Sequence, residues 1–324
     1  MLCGLAGLIP AGPVSVLLDG CGEQPAALAA RLAATLTASG RPCVRLTGID
    51  DADTGGDAVE GDAGEGTVRL AGGPGWRGAR TWDVMIWVRA GRDPDGAAEN
   101  GADIVIDLYD QDWPVIRRVA ASLASRGSWY LTETRAFFSP RAATWDTRFG
   151  DDMPAYAAAV ARAGMRRGGV AIDVGCGTGR ALPALRQAVG RDGAVIAADL
   201  TPEMLAQARP QAAAARAALV LADARKLPFA DASADALFAA GLINHLPDPE
   251  AGLGELARVT RTGGLLVLFH PSGRAALAAR HGRTLTQDEP LSAGPLQRST
   301  TATGWRLAAY DDAVDHFFAL AVRC

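Results

Sequence analysis

The segment richest in chemical information is IDVGCGTGR, residues 172–180. Gly175, Gly177 and Gly179 alternate there with Cys176 and Thr178, and Asp173 stands two residues ahead of the first glycine. Glycine at alternate positions lets the chain turn tightly and lets a ligand approach main-chain N–H groups at the start of a helix. Asp173 can accept hydrogen bonds from a cationic amino group. Asp199, about 20 residues past the last glycine, ends the next strand-like run, where a carboxylate reaches ribose hydroxyls. A glycine turn alone matches many unrelated sheets; these two acids narrow the reading.

The elements that must position these groups follow from periodicity. GVAIDV (169–174) reads as a buried strand, and Leu182, Leu185 and Val189 after the turn have helical spacing. AVIAAD (194–199) is the next strand, and Thr201-Pro202 forms an N-cap and N1 pair for the helix behind it, which Pro210 should end or kink. ALVLAD (218–223), ADALFAA (234–240) and LLVLFH (265–270) are further strands, with a helix over Pro247–Arg261 between the last two. GWRLAAYDD (304–312) and HFFALAVR (316–323) read as two antiparallel strands at the sheet edge. A helical pair, TETRAFFSPRAATW and MPAYAAAVARAG (153–164), precedes this half.

The first half is a shorter α/β unit. VSVLLD (14–19) and PCVRL (42–46) are strand candidates around a helix PAALAARLAATLTASG (25–40) closed by Gly40. The acidic, glycine-rich stretch at about 49–66 has almost no apolar anchor and reads as a loop or disordered insert. WDVMIWVRA (82–90) and GADIVIDLYD (101–110) resume the strands, and WPVIRRVAASLASRG (113–127) reads as a helix. Strands alternating with helices imply a parallel sheet in each half. The expected fold class is therefore α/β in two domains, residues 1–130 and 131–324.

Bulk composition excludes several functions. The 324 residues carry a net charge of −4 with no basic stripe, which disfavours nucleic acid as partner. Lys226 is the only lysine, so any chemistry needing a lysine must use it. The five cysteines include no C-x-x-C pair and the four histidines have no metal-ligand spacing, so no metal and a reducing, cytoplasmic setting are expected. The apolar start lacks a basic region and contains two prolines, which speaks against a signal peptide or membrane partner.

Taken in order, DVGCGTG, AADLTPEML and LADARKLPFADASADALFAAGLINHLPDP resemble a class I S-adenosylmethionine-dependent methyltransferase, over roughly residues 133–324. The resemblance implies a Rossmann-like seven-stranded sheet with an antiparallel last strand and S-adenosyl-L-methionine as cofactor. It implies that Asp173 and the backbone at Gly175, Cys176 and Gly177 hold the amino-acid end. Asp199 would bind the ribose, with Leu200 and Met204 beside the adenine. Asp223 and the Ala224 N–H would meet the ring edge, and Ala240, Gly241 and Leu242 would line the methionine portion. Trp145 and Arg148 would close over the cofactor from the N-terminal side. Plainer roles stay open: Asp199 as a strand-end solubiliser, Asp223 as a helix cap, Trp145 as packing. His245 and His270 follow the fourth and fifth strands, at the carboxyl ends where an open α/β sheet binds ligands. Either could act as general base, worth about 10²–10⁴-fold where the nucleophile keeps a proton; packing is the plainer role of His245. Residues 271–300 with Phe137 and Phe138 fall outside the common sheet and are expected to build the pocket of a small-molecule methyl acceptor.

The first half resembles the opening of a uridine-kinase-like P-loop fold, carried by VSVLLDGCGEQPAALAARLAATLTASGRPCVRL. A working P-loop needs a lysine for the phosphates and a hydroxyl for magnesium. Those positions hold Pro25 and Ala26, so a truncated, catalytically dead unit is expected. The alternatives are a non-catalytic cofactor- or nucleotide-binding or dimerisation protein, including a homodimer, and, least favoured, a nucleoside-type kinase.

Overall fold

The structure is a computed structural model. It describes residues 1–20, 22–46, 66–73, 75–89, 101–108, 115–124, 129–149, 152–280, 285, 287 and 289–324, with the side chains of Asp107, Val115, Arg117, Ala121, Arg148 and Phe149 excepted. The acidic insert expected at about 49–66 lies outside the described residues, apart from Gly66. The chain forms two compact units that part after Glu133.

The first unit is a sheet in the order β2-β3-β1-β4-β5-β6. Its strands are β1 (Val14–Gly20), β2 (Cys43–Arg45), β3 (Val68–Gly72), β4 (Val84–Arg89), β5 (Ile104–Asp107) and β6 (Val115–Val119). β1 is central and buried nearly throughout, as a strand flanked by parallel neighbours must be. Behind it, the helix Gln24–Ala38 buries Leu28, Leu32 and Leu36, one turn apart. That helix packs close on β3: a Cβ on Gly72 would lie 2.6 Å from the Cβ of Ala29.

Two features of this unit differ from the sequence reading. β3 lies in a stretch assigned no element. The helix expected over 113–127 is instead β6, antiparallel to β5, followed by only one helical turn at Ala121–Ala124. Val115, Ile116 and Val119 are β-branched and complete an open sheet edge, which outweighs the helical tendency of the alanines behind them.

The second unit is a seven-stranded sheet in the order β12-β13-β11-β10-β7-β8-β9. Its strands are β7 (Val170–Val174), β8 (Ala194–Asp199), β9 (Ala218–Leu221), β10 (Ala234–Ala240), β11 (Thr260–His270), β12 (Trp305–Asp312) and β13 (Phe317–Arg323). All neighbours pair in parallel except β13, which runs antiparallel to both β11 and β12. This is the expected seven-stranded, antiparallel-ended sheet. Leu182, Leu185 and Val189 are all buried against it from the helix Leu182–Val189. Tyr156, Phe238 and Phe269 stack at the centre, with the outer rings 5.0 and 5.8 Å from Phe269.

Helix boundaries bring smaller corrections. Pro210 neither ends nor divides its helix, which runs from Pro202 to Ala215. The helix expected over Pro247–Arg261 spans Pro249–Val259, because the Asp248 side chain caps it by accepting the Ala251 N–H at 2.9 Å. Thr201 occupies the N-cap position of its helix without a side-chain cap bond. Asp199 Oδ1 accepts its N–H instead, at 2.8 Å.

Candidate functional site

The parallel strands of the second unit deliver β7, β8, β10 and β11 to one edge, where an open α/β sheet binds ligands. The turn after β7 has Gly175, Gly177 and Gly179 at φ of +72°, +53° and +86°. Only glycine takes that run of left-handed conformations without strain. Gly175 also meets the segment after β10: a Cβ on it would lie 3.1 Å from Leu242 Cδ1. Gly241, at φ +67°, donates its N–H to the Phe269 carbonyl at 2.9 Å, and a Cβ there would lie 3.9 Å from His270 Cδ2. The glycine turn, Leu242 and His270 are thus linked by successive contacts through Gly241 and its neighbour.

The N–H groups of Gly175, Cys176 and Gly177 are engaged inside the protein. The first two donate to the Ala198 carbonyl at 2.8 and 3.0 Å, and the third donates to Asp199 Oδ2 at 2.9 Å. The turn is therefore clamped to β8, with two buried carboxylates, Asp173 and Asp199, beside it.

Asp173 is the principal one. It is 2 % exposed on β7, and burial, with the nearby charge of Asp199, pushes its carboxyl up to about 8. Asp199 is also buried and raised by that burial, although hydrogen bonds from Thr201 and Gly177 oppose the shift. Two nearby buried carboxylates are a costly arrangement, which a ligand carrying a cationic amino group would relieve. Burial, then Asp173 and Asp199, also push the Cys176 thiol well up, so it stays protonated and acts as a small packing residue rather than a thiolate.

This arrangement has a pH signature. The ligand-free carboxyl of Asp173 is raised relative to the unfolded chain, so between about pH 4 and pH 8 the folded state holds more protons. Stability of the free protein should accordingly fall as pH rises through that window. A bound ammonium group favours the carboxylate and expels the proton. The affinity for S-adenosylhomocysteine should therefore rise from about pH 6 to about pH 7.5, by up to about tenfold per unit for one linked proton. Calorimetry in buffers of different ionisation enthalpy would detect the released proton. Asp173→Asn should flatten the dependence, and a flat wild-type profile would refute the assignment.

Other predicted residues are placed less openly. Met204 is 1 % exposed, buried on its helix, and presents no open surface to a ring. Leu200 is half-buried, its carbonyl accepting from Arg135 Nε at 3.1 Å. The Asp223 carboxylate is gripped by Arg225, with Nε–Oδ2 at 3.0 Å and Nη2–Oδ2 at 2.7 Å. Ala224 beside it is buried, and Ala240 closes β10 half-buried. Arg148 lies in the short helix Trp145–Phe149, but its side chain is outside the described residues.

His270 Nδ1 lies 3.0 Å from the Ser272 carbonyl and 3.1 Å from the Ser272 N–H. In the tautomer that donates to the carbonyl, Nε2 carries the lone pair a base needs. His245 packs edge-on against Phe138 at 5.2 Å; Phe138 in turn touches Trp145 at 5.5 Å and Phe137 at 4.9 Å. The expected packing role of Trp145 and the expected pocket aromatics are one cluster.

Sequence reading missed Asp146, Arg180 and Thr178. Thr178 Oγ1 and Arg180 Nε both donate to Asp146 Oδ1, at 2.6 and 2.9 Å, and Arg180 also pairs with Asp152. The spacing carries no motif; the one available signal was an arginine placed directly after the glycine turn.

Residues 172–268 match the family model described as a methyltransferase domain. A demethylmenaquinone methyltransferase of Staphylococcus aureus is 37 % identical over 110 residues, covering 34 % of this chain and 46 % of that protein. An uncharacterized 37.1 kDa protein in transposon TN4556 of Streptomyces fradiae is 40 % identical over 107 residues, covering 33 % of this chain and 31 % of that one. The chain thus spans less than half the length of these curated relatives. Magnesium protoporphyrin IX methyltransferase from Synechocystis PCC 6803, solved with bound SAH, superposes with a TM-score of 0.48 at 17 % identity, over 60 % of this chain and 99 % of that one. The segment 172–268 thus resembles a methyltransferase domain, whose implied cofactor is S-adenosylmethionine. The buried acid pair fits that cofactor: Asp173 suits its ammonium group, and Asp199 at the end of β8 suits its ribose. When bound, the cofactor supplies a methyl group already activated on a sulfonium.

Proposed function

We propose that the chain transfers a methyl group from S-adenosylmethionine to a small-molecule acceptor, with the second unit carrying the site. The observation that supports this best is the buried Asp173–Asp199 pair beside a clamped glycine turn, inside the segment that matches a methyltransferase domain. In this reading Asp173 holds the amino group, Asp199 the ribose, and Gly241 and Leu242 the methionine portion. The protein's main tasks are to align the acceptor and exclude water. His270 serves as base where the acceptor atom carries a proton, and His245 supports the aromatic cluster. Phe137, Phe138 and Trp145 offer ring surfaces to a planar acceptor. The demethylmenaquinone methyltransferase among the relatives is consistent with such a substrate. Incubation with methyl-labelled S-adenosylmethionine and a panel of phenols, quinols, amines and carboxylates tests the proposal; no transfer to any of them, with S-adenosylhomocysteine bound, would favour a non-catalytic binder.

The first unit, in the same reading, is a structural remnant that transfers no phosphoryl group. Asp19 heads the turn after β1, accepting the Gly20 N–H at 2.8 Å and pairing with Arg77 at 3.0 Å. A carboxylate thus stands where a phosphate would need donors. Gly20 is pressed on β4, where a Cβ would lie 2.2 Å from the Val88 carbonyl oxygen. Pro25 and Ala26 lie within the helix that follows and supply neither ammonium nor hydroxyl. ATP with magnesium should leave the melting temperature unchanged, and a shift of several degrees would restore a nucleotide site. No helix among the described residues is long and apolar enough to cross a membrane.

A further inference from the structure

We propose that Asp146 is a positioning residue for the cofactor, acting through Arg180 and Thr178 to hold Trp145 and its helix against the glycine turn. The inference rests on the methyltransferase reading above. Arg180 is 8 % exposed, immediately after the turn, and reaches one carboxylate within the short helix Trp145–Phe149 and one just beyond it. Asp152, beyond the helix, is well buried with its partner. Asp146, within it, has a side chain 61 % exposed, yet its Oδ1 accepts two donors, Thr178 Oγ1 at 2.6 Å and Arg180 Nε at 2.9 Å. Arg180 Nη2 adds a bond to the Asp146 carbonyl at 3.2 Å.

The two halves of this network differ in kind. Arg180–Asp152 is a buried pair whose separation would strand two charges, so it stays closed. Asp146 faces water, so its release leaves the guanidinium still paired and costs the fold little. Both donors to Asp146 belong to the turn that carries the ligand-facing strand end, and Trp145 is its immediate neighbour. Loss of Asp146 therefore loosens Trp145 and the turn's outer rim, not the core.

The test uses the full chain as wild type, Asp146→Ala, Asp146→Glu and Thr178→Val. Three readouts are needed: S-adenosylhomocysteine affinity by calorimetry, melting temperature, and hydrogen exchange of residues 145–149 without ligand. Asp146→Ala should weaken binding about tenfold, about 1.4 kcal/mol, with the melting temperature within about 2 °C of wild type and faster exchange confined to 145–149. Thr178→Val should weaken binding in the same direction, and Asp146→Glu should recover most of the affinity. Wild-type affinity in Asp146→Ala overturns the proposal, as does a loss of affinity matched by a large fall in melting temperature, which would mark a merely structural residue. If the wild type itself binds no S-adenosylhomocysteine, the methyltransferase reading fails and the positioning role falls with it. The exchange data would still report whether Asp146 fastens the helix.

Discussion

Replacing Asp199 by Ala should weaken S-adenosylhomocysteine binding by about 10–100-fold, the about 1.5–3 kcal/mol typical of hydrogen bonds to a charged group. Asp199 holds two backbone groups as well, Gly177 N–H at 2.9 Å and Thr201 N–H at 2.8 Å. The substitution would thus remove the proposed ribose contact together with the clamp that keeps the glycine turn on β8. Asp199→Asn separates the two effects. It keeps one acceptor oxygen but loses the charge, so it should retain part of the fold's stability while still losing affinity. Calorimetry alongside urea unfolding would measure both. Unchanged affinity in a folded Asp199→Ala protein would remove the ribose assignment.

The second large effect is expected at Gly273. A Cβ there would lie 1.5 Å from the Ala313 carbonyl oxygen and 2.7 Å from its carbon, closer than any contact a side chain can keep. Gly273→Ala must push the turn between β12 and β13 away, breaking the Gly273 N–H bond to the Val314 carbonyl at 3.1 Å. Arg274, next in sequence, would be drawn from Ser292 Oγ at 2.7 Å and from Glu289 and Asp312. Overpacking on this scale should cost about 3 kcal/mol in urea unfolding. Gly273 follows His270 by three residues, near the start of the segment 271–300 that the sequence reading expects to build the acceptor pocket. In protein that stays folded, turnover should therefore fall far more than cofactor affinity, whose carboxylates lie on β7 and β8. Equal loss of both would show that the segment after β11 is not an acceptor wall.

Much of this was legible without coordinates, for a physical reason. Apolar runs such as ADALFAA and LLVLFH bury both faces in a parallel sheet, and their spacing fixes where the strand ends and their acids fall. Asp173 and Asp199 were found because a glycine turn and a strand-end carboxylate must sit at set distances along the chain. Local rules failed where a neighbour decided. β6 became a strand because β5 offered it an open edge, and the helix through Pro210 continued because packing outweighed the missing hydrogen bond.

What only the tertiary structure decided is how the donors are spent. Nothing in DVGCGTG shows that its N–H groups are taken by Ala198 and Asp199, since that depends on the register of β7 against β8. Nor does the sequence pair Arg180 with Asp146 and Asp152, or Asp223 with Arg225. Charge pairing between elements is set by where folding brings side chains together. The sequence by itself determined two α/β units, the glycine turn and the strand-end acids. The tertiary structure turned those acids into a buried pair, with an exposed latch beside it, because burial and contact are properties of the assembled sheet.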